Sequence, residues 1–115
     1  MTHEERHEKA VEHAKTALAS EKRLFELADL FRLFADSTRV RILCALRRGE
    51  LCVGALSSLL SLEQSTVSHQ LKVLRESRLV TYRREGKTNL YSLSDEHVSS
   101  ILDAGFTHLC EEEKS

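Results

Sequence analysis

A change of hydrophobic period at Arg78 constrains this chain more than any other feature. Before it, apolar residues recur every three or four positions. After it they alternate with polar ones through Leu79-Val80-Thr81-Tyr82-Arg83-Arg84 and again through Thr88-Asn89-Leu90-Tyr91-Ser92-Leu93. Alternation on both sides of Glu85-Gly86-Lys87, a short turn with a glycine, predicts a β-hairpin. The segment just upstream, roughly 64–77, predicts a helix with Val67, Leu71 and Leu74 inward. It follows a helix over about 52–60 after only Ser61-Leu62-Glu63. Two helices joined by so short a turn, the second opening with small polar residues, form a helix-turn-helix pattern, and a hairpin directly behind it is a wing.

The flanking segments extend this plan. Residues 4–18 are charged and alanine-rich with a thin apolar stripe, which predicts an arm or a partner-packing helix. From Leu24 the positions Leu27, Ala28, Leu30, Phe31 and Phe34 predict a core-facing helix. Residues 38–47 predict another, capped by Ser37 or Asp36, with Val40, Ile42, Leu43 and Leu46 inward and Gly49 as its stop. A last helix over about 95–111, capped by Ser94, carries Val98, Ile101, Leu102, Phe106 and Leu109 on one stripe. The fold class expected is mainly α with a small β-hairpin: a winged helix-turn-helix over residues 21–115 preceded by an arm over residues 1–20. At 115 residues and 41% hydrophobic content there is one modest core, so terminal helices find little of their own chain to pack on. That favours a homodimer through the N- and C-terminal helices.

Charge is unevenly placed. The formal net charge is only -1, yet residues 39–90 carry ten Lys and Arg against four Glu, between acidic ends. A local basic footprint is what phosphate contact requires. No stretch approaches the roughly 20 apolar residues of a membrane span, and the polar start does not resemble a secretory signal, so the expected location is the cytoplasm. The three cysteines, Cys44, Cys52 and Cys110, form no CxxC pair, and an odd number argues against a disulfide framework. Catalysis has no support either: there is no phosphate-cradling loop, no HExxH and no nucleophile with a base and an orienting group.

The candidate DNA readers are Gln64, Ser65, Thr66, Ser68, His69 and Gln70, whose side chains suit base edges and phosphates from a helix N-terminus in the major groove. Lys72 and Arg75 continue that helix, and Arg83, Arg84 and Lys87 on the wing are available to the backbone or the minor groove. A merely solvated amphipathic helix and hairpin would account for the polarity, but less readily for the order of helix, turn, polar helix and basic hairpin.

Four runs together resemble the ArsR/SmtB family of bacterial metal-responsive repressors: Leu33-Phe34-Ala35-Asp36-Ser37-Thr38-Arg39-Val40-Arg41-Ile42-Leu43, Glu50-Leu51-Cys52-Val53-Gly54, Thr66-Val67-Ser68-His69-Gln70-Leu71 and Leu79 through Lys87. The resemblance covers residue 24 to the end. It implies a transcriptional repressor that binds an imperfect palindrome of operator DNA as a homodimer in the apo form, and leaves it when metal binds.

The last helix carries Asp95, His97, His108 and Glu111. Residues 11 apart on a helix return to within about 20° of one direction, so His97 and His108 share a face, with Glu111 one turn beyond His108. Asp95 and His108 lie roughly 20 Å apart along the axis, so one helix cannot close a site. Two antiparallel copies about a two-fold axis would form two equivalent four-ligand sites. On spacing alone the same residues also fit the polar edge of a dimer helix, with Asp95 favoured by the positive helix N-terminus. The pattern Asp-x-His, ten residues, His-x-x-Glu is, however, similar to the C-terminal-helix site of the zinc-sensing branch. The resemblance therefore implies zinc, two per dimer, with cobalt able to substitute, and a contact from the position of His108 to the backbone at Arg78.

Two other readings compete. Cys52 stands where a second branch places a thiolate, and with His3 and His7 it is the candidate for a second metal site. A winged-helix regulator answering a thiophilic metal or thiol oxidation through Cys52 is the alternative function. A constitutive DNA-binding or dimerisation module is the third. Cys44 reads as a small core residue and Cys110 as a bystander.

Overall fold

The computed structural model describes residues 1–114, with side chains through Glu111. The chain divides into two compact units, Met1–Arg32 and Leu33–Ser115. The first holds helix α1 (His3–Lys15) and most of helix α2 (Glu21–Leu33). Thr2 starts α1, its hydroxyl accepting from the Glu5 N–H at 3.1 Å. Neither helix has a buried residue: Leu24, Leu27 and Phe31 on α2 are 41%, 46% and 52% exposed. The apolar stripe read as core-facing exists, with Leu30 and Phe34 half-buried and its other members exposed.

The second unit is built on helices α3 (Ser37–Ala45), α4 (Val53–Leu60) and α5 (Gln64–Glu76), a hairpin of strands β1 (Val80–Glu85) and β2 (Thr88–Leu93), and a long helix α6 (Glu96–Lys114). Ile42, Leu43, Leu56, Val67, Leu71, Leu74 and Val80 are fully buried and form the centre, with Leu46, Leu79, Tyr91, Val98 and Leu102 around them. Cys44 is half-buried beside this core rather than inside it.

Each boundary has a local cause. Asp36, not Ser37, caps α3, its carboxylate accepting from the Arg39 N–H at 3.0 Å. A 3-10 turn, Leu46–Arg48, ends at Gly49, whose φ of 152° and ψ of 178° suit glycine alone. Leu51 then pairs antiparallel with Tyr91, adding a one-residue third strand to the outer edge of β2, which sequence periodicity did not reveal. Arg78 closes α5 in the left-handed region (φ 62°), with Leu79 N–H donating to the Leu74 carbonyl at 2.9 Å and Arg78 N–H to that of Arg75 at 3.0 Å. This is a Schellman closure with Leu74 and buried Leu79 as its apolar pair. Its backbone turn converts the helical period into the alternating one.

The hairpin pairs Glu85 with Thr88 across Gly86-Lys87, and Val80 with Leu93 at its mouth. Gly86, the first central residue, has the positive φ of 61° that a type II′ turn needs. The Ser94 N–H donates to the Leu79 carbonyl at 3.0 Å. Ser94 thus ties off the hairpin, and α6 takes its cap one residue later: Asp95 Oδ1 accepts from the His97 N–H at 2.9 Å. No helix among the described residues is long and apolar enough to cross a membrane.

Candidate nucleic-acid interface and metal-ligand helix

The turn between α4 and α5 is fixed by its carbonyls. Ser61 adopts the left-handed region (φ 56°), Ser61 and Leu62 both donate to the Ser57 carbonyl, and the Ser57 hydroxyl donates to that of Leu62. Arg41 reaches from α3 to hold the Leu60 carbonyl at 2.7 Å. With those groups satisfied, the turn is a rigid hinge that sets the direction of α5. Val67, Leu71 and Leu74 bury one face of α5, which leaves Gln64, Ser65, Thr66, Ser68, His69 and Lys72 exposed on the other. Glu63, at the N-cap position of α5, makes no side-chain cap.

Gln70 differs from its neighbours. It is half-buried, and its Oε1 accepts from Arg39 at 3.5 Å. Arg39 also donates to the Leu33 carbonyl at 3.0 Å, so Gln70 braces α5 against α3. At the other end of α5, the Arg75 guanidinium stacks 4.9 Å from the centre of the Tyr82 ring, which itself lies 5.5 Å from Tyr91. This stack couples α5 to the wing, a role the charge pattern alone did not reveal.

On the wing, Arg84 donates to the Gly86 carbonyl at 3.1 Å, and Lys87 is exposed at the tip. Arg83 is held by two carboxylates: its Nε lies 3.1 and 2.8 Å from the two oxygens of Glu50, and its Nη2 lies 3.0 Å from Glu85. The hydrogen bond and charge of Glu50, then the hydrogen bond of Glu85, raise the Arg83 pKa above the ordinary arginine value, with desolvation acting the other way and the charge of Glu85 adding least.

Helix α6 carries the four candidate ligands. Asp95 Oδ1, which accepts from the His97 N–H, also lies 3.4 Å from His97 Nδ1, and the His97 side chain is 90% exposed. His108 lines an apolar groove of about 460 Å³ with Phe34, Val40, Leu102, Phe106 and Leu109. Glu111 borders a neighbouring hollow with Arg47 and Asp103. Arg47 pairs with Asp103 at 2.7 Å and lies 5.4 Å from the Phe106 ring, which fastens α6 to the turn after α3. Among the described residues of one chain, no three His, Cys, Asp or Glu side chains stand close enough to hold an ion. Cys52 caps α4, its Sγ accepting from the Ala55 N–H at 3.4 Å, while His3 and His7 are exposed on α1.

The model of the arsR family of bacterial regulatory proteins matches residues 36–82, the span from the α3 cap into β1. A transcriptional repressor SmtB homolog of Synechocystis sp. is 44% identical over 86 residues, covering 75% of this chain and 65% of its own length. A cadmium resistance transcriptional regulatory protein, a CadC homolog of Staphylococcus aureus, is 38% identical over 103 residues, covering 89% and 84%. Among solved structures, the AntR antimony-specific transcriptional repressor superposes with a TM-score of 0.75 at 32% identity, covering 85% of this chain and 89% of that one. With the winged helix-turn-helix in place and that likeness covering most of both chains, the chain belongs to the arsR family of bacterial regulatory proteins, DNA-binding transcriptional regulators rather than enzymes.

Proposed function

We propose that this protein is a zinc-responsive repressor that binds operator DNA as a homodimer in its metal-free form and is released when zinc binds between the subunits. The observation that carries the reading is the Asp95–His97 pair at the start of α6, with one carboxylate oxygen already fastened on His97. His108 and Glu111 follow on the same helix, too far along it to complete a site within one chain.

The residues fit the ion. Asp95 and His97 of one protomer with His108 and Glu111 of the other would hold it, two sites per dimer. Two imidazole nitrogens and two carboxylate oxygens suit zinc, and cobalt in its place, while offering no sulfur to thiophilic ions. A bound ion supplies a cross-link between the two α6 helices. What the chain's own residues contribute is orientation: Asp95 fixes the backbone of His97 beside its own carboxylate, and Arg47 holds α6 through Asp103.

A homodimer is supported by uncovered apolar surface. Phe106 and Leu109 on α6 are 44% and 54% exposed, and Leu24, Phe25, Leu27 and Phe31 on α2 are exposed as well. Large apolar side chains at helical spacing on terminal helices are what an obligate interface covers. The dimer would present two α5 helices to successive major grooves of an imperfect palindrome. Gln64, Ser65, Thr66, Ser68 and His69 would read or position there, Lys72, Arg83, Arg84 and Lys87 would meet phosphates, and Gln70 would act through Arg39. Residues 1–20 would serve as an arm outside this core.

Relatives include regulators named for cadmium and antimony, so a thiophilic response through Cys52 is the reading to exclude. A mobility-shift titration with zinc decides. Coupling of about 1–3 kcal/mol predicts operator affinity falling roughly 5- to 150-fold in the wild type, and no change in a variant with His97→Ala and His108→Ala, whose apo binding is preserved. Retention of the response in that variant, with its loss in Cys52→Ser, would transfer the sensing role to Cys52.

A further inference from the structure

The wing arginine is not held ready for DNA. On β1, alternate residues point to opposite faces, so Arg83 and Glu85 share the face opposite Tyr82. Glu50 reaches the same arginine from the residue before the Leu51–Tyr91 bridge. Both oxygens of Glu50 lie on Arg83 Nε, at 3.1 and 2.8 Å, and Glu85 lies on Nη2 at 3.0 Å. Arg83 and its two carboxylates thus form a cluster with a net charge of one negative, in the element expected to meet a polyanion. A phosphate that takes the Arg83 guanidinium must displace Glu50, or accept a carboxylate beside it.

The three side chains are 56%, 36% and 65% exposed for Arg83, Glu50 and Glu85. Exposed ion pairs are weak and exchange readily, whereas a phosphate contact at a duplex also releases condensed counterions. Exchange is therefore within reach of DNA binding, and the acids set how much the wing contributes to it.

We propose that Glu50 is a built-in competitor for the DNA backbone: it holds Arg83 against the wing, and is either displaced by the phosphate that Arg83 takes or left as a repelling charge beside it, so that it limits the affinity of the repressor for duplex DNA. Glu85 assists in the same direction. The competition concerns a phosphate contact, which carries no base information; it weakens operator and non-operator duplex alike and leaves their ratio unchanged. This inference rests on the reading of the wing as a DNA-contacting element.

The test is a double-mutant cycle of Glu50→Gln and Arg83→Ala, read by fluorescence anisotropy on an operator duplex and on a scrambled duplex in the metal-free protein at fixed salt. Glu50→Gln is expected to tighten binding about two- to fivefold per wing, hence about four- to twenty-five-fold for a dimer, on both duplexes. With Arg83→Ala in place the same change should do nothing. Glu85→Gln should act in the same direction, and keeps the test alive if Glu50→Gln fails to fold by circular dichroism. Weaker or unchanged binding on loss of either carboxylate would make the cluster a brace for the wing and overturn the proposal. A gain that persists without Arg83 would reduce it to net charge and overturn it too. If the wild type binds neither duplex, the DNA-binding reading falls first and the proposal with it.

Discussion

Asp95 is asked to do two things, and two substitutions separate them. Its Oδ1 caps α6 through the His97 N–H at 2.9 Å, and its carboxylate is the proposed ligand on that helix start. Replacing a capping side chain by Ala costs about 1 kcal/mol, within a range of about 0.5–2. Removing a negative charge from a helix N-terminus costs roughly a further 0.3–1 kcal/mol, reduced here because Asp95 is half exposed. Asp95→Ala should therefore destabilise the metal-free protein by about 1–2 kcal/mol. Asn is an equally good cap, so Asp95→Asn should lose only the charge contribution, a few tenths of a kcal/mol. A shift of 1 kcal/mol moves the melting temperature of a domain of this size by about 4–8 °C, so the two are resolved by thermal unfolding in chelator at one protomer concentration. Zinc then reverses the grouping. Ligand binding to the folded state raises stability by RT ln(1 + [L]/Kd), about 2.7 kcal/mol at 100 times Kd, and both variants should lose most of that gain because neither offers a carboxylate. Equal melting of Ala and Asn variants in chelator would refute the cap. Full zinc stabilisation of Asp95→Asn would refute the ligand.

Three further outcomes follow from the same structure. Leu71, fully buried between α5 and the core, should cost about 2–5 kcal/mol as Leu71→Ala, seen as an early denaturant midpoint. Lys72→Ala should leave stability within about 0.5 kcal/mol of wild type, since the side chain is exposed, and should lower the salt slope of DNA binding by about 0.9 per protomer. No loss of slope would remove Lys72 from the phosphate contacts. Phe106→Glu places a charge on the exposed α6 face and should shift sedimentation from dimer toward monomer, with DNA affinity falling in parallel; an unchanged dimer would place the interface elsewhere.

Much of the fold was legible along the chain, because local periodicity is written in consecutive residues. The alternation after Arg78, the short turn at Ser61-Leu62-Glu63 and the helical spacing of Val67, Leu71 and Leu74 each report a single element whose burial is decided by neighbours three or two positions away. The starts of α4, α5 and α6 were legible to within a residue, whereas α2 starts at Glu21 rather than near Leu24 and α1 ends at Lys15 rather than at 18. Ser94 and Asp95 are both good caps; in the fold the Ser94 N–H closes the hairpin on the Leu79 carbonyl, and it is the Asp95 carboxylate that accepts from the His97 N–H. Arg78 was harder to read as a helix stop, since its left-handed backbone is usually given to Gly or Asn.

What the linear pattern could not contain were the pairings between distant side chains. Gln70 looked like a base reader and is bonded to Arg39, 31 positions away. Arg83 looked like a free wing cation and is held by Glu50, 33 positions away. Arg75 reads as one more positive charge until the hairpin brings Tyr82 beneath it. The sequence by itself determined the order of elements, the apolar face of each and the chemistry of the α6 side chains, because these depend on spacing along a helix or strand. Only tertiary structure decided which polar groups are available and which are already engaged, because a guanidinium or a carboxylate finds its partner through the register of the strands and the closure of the turns.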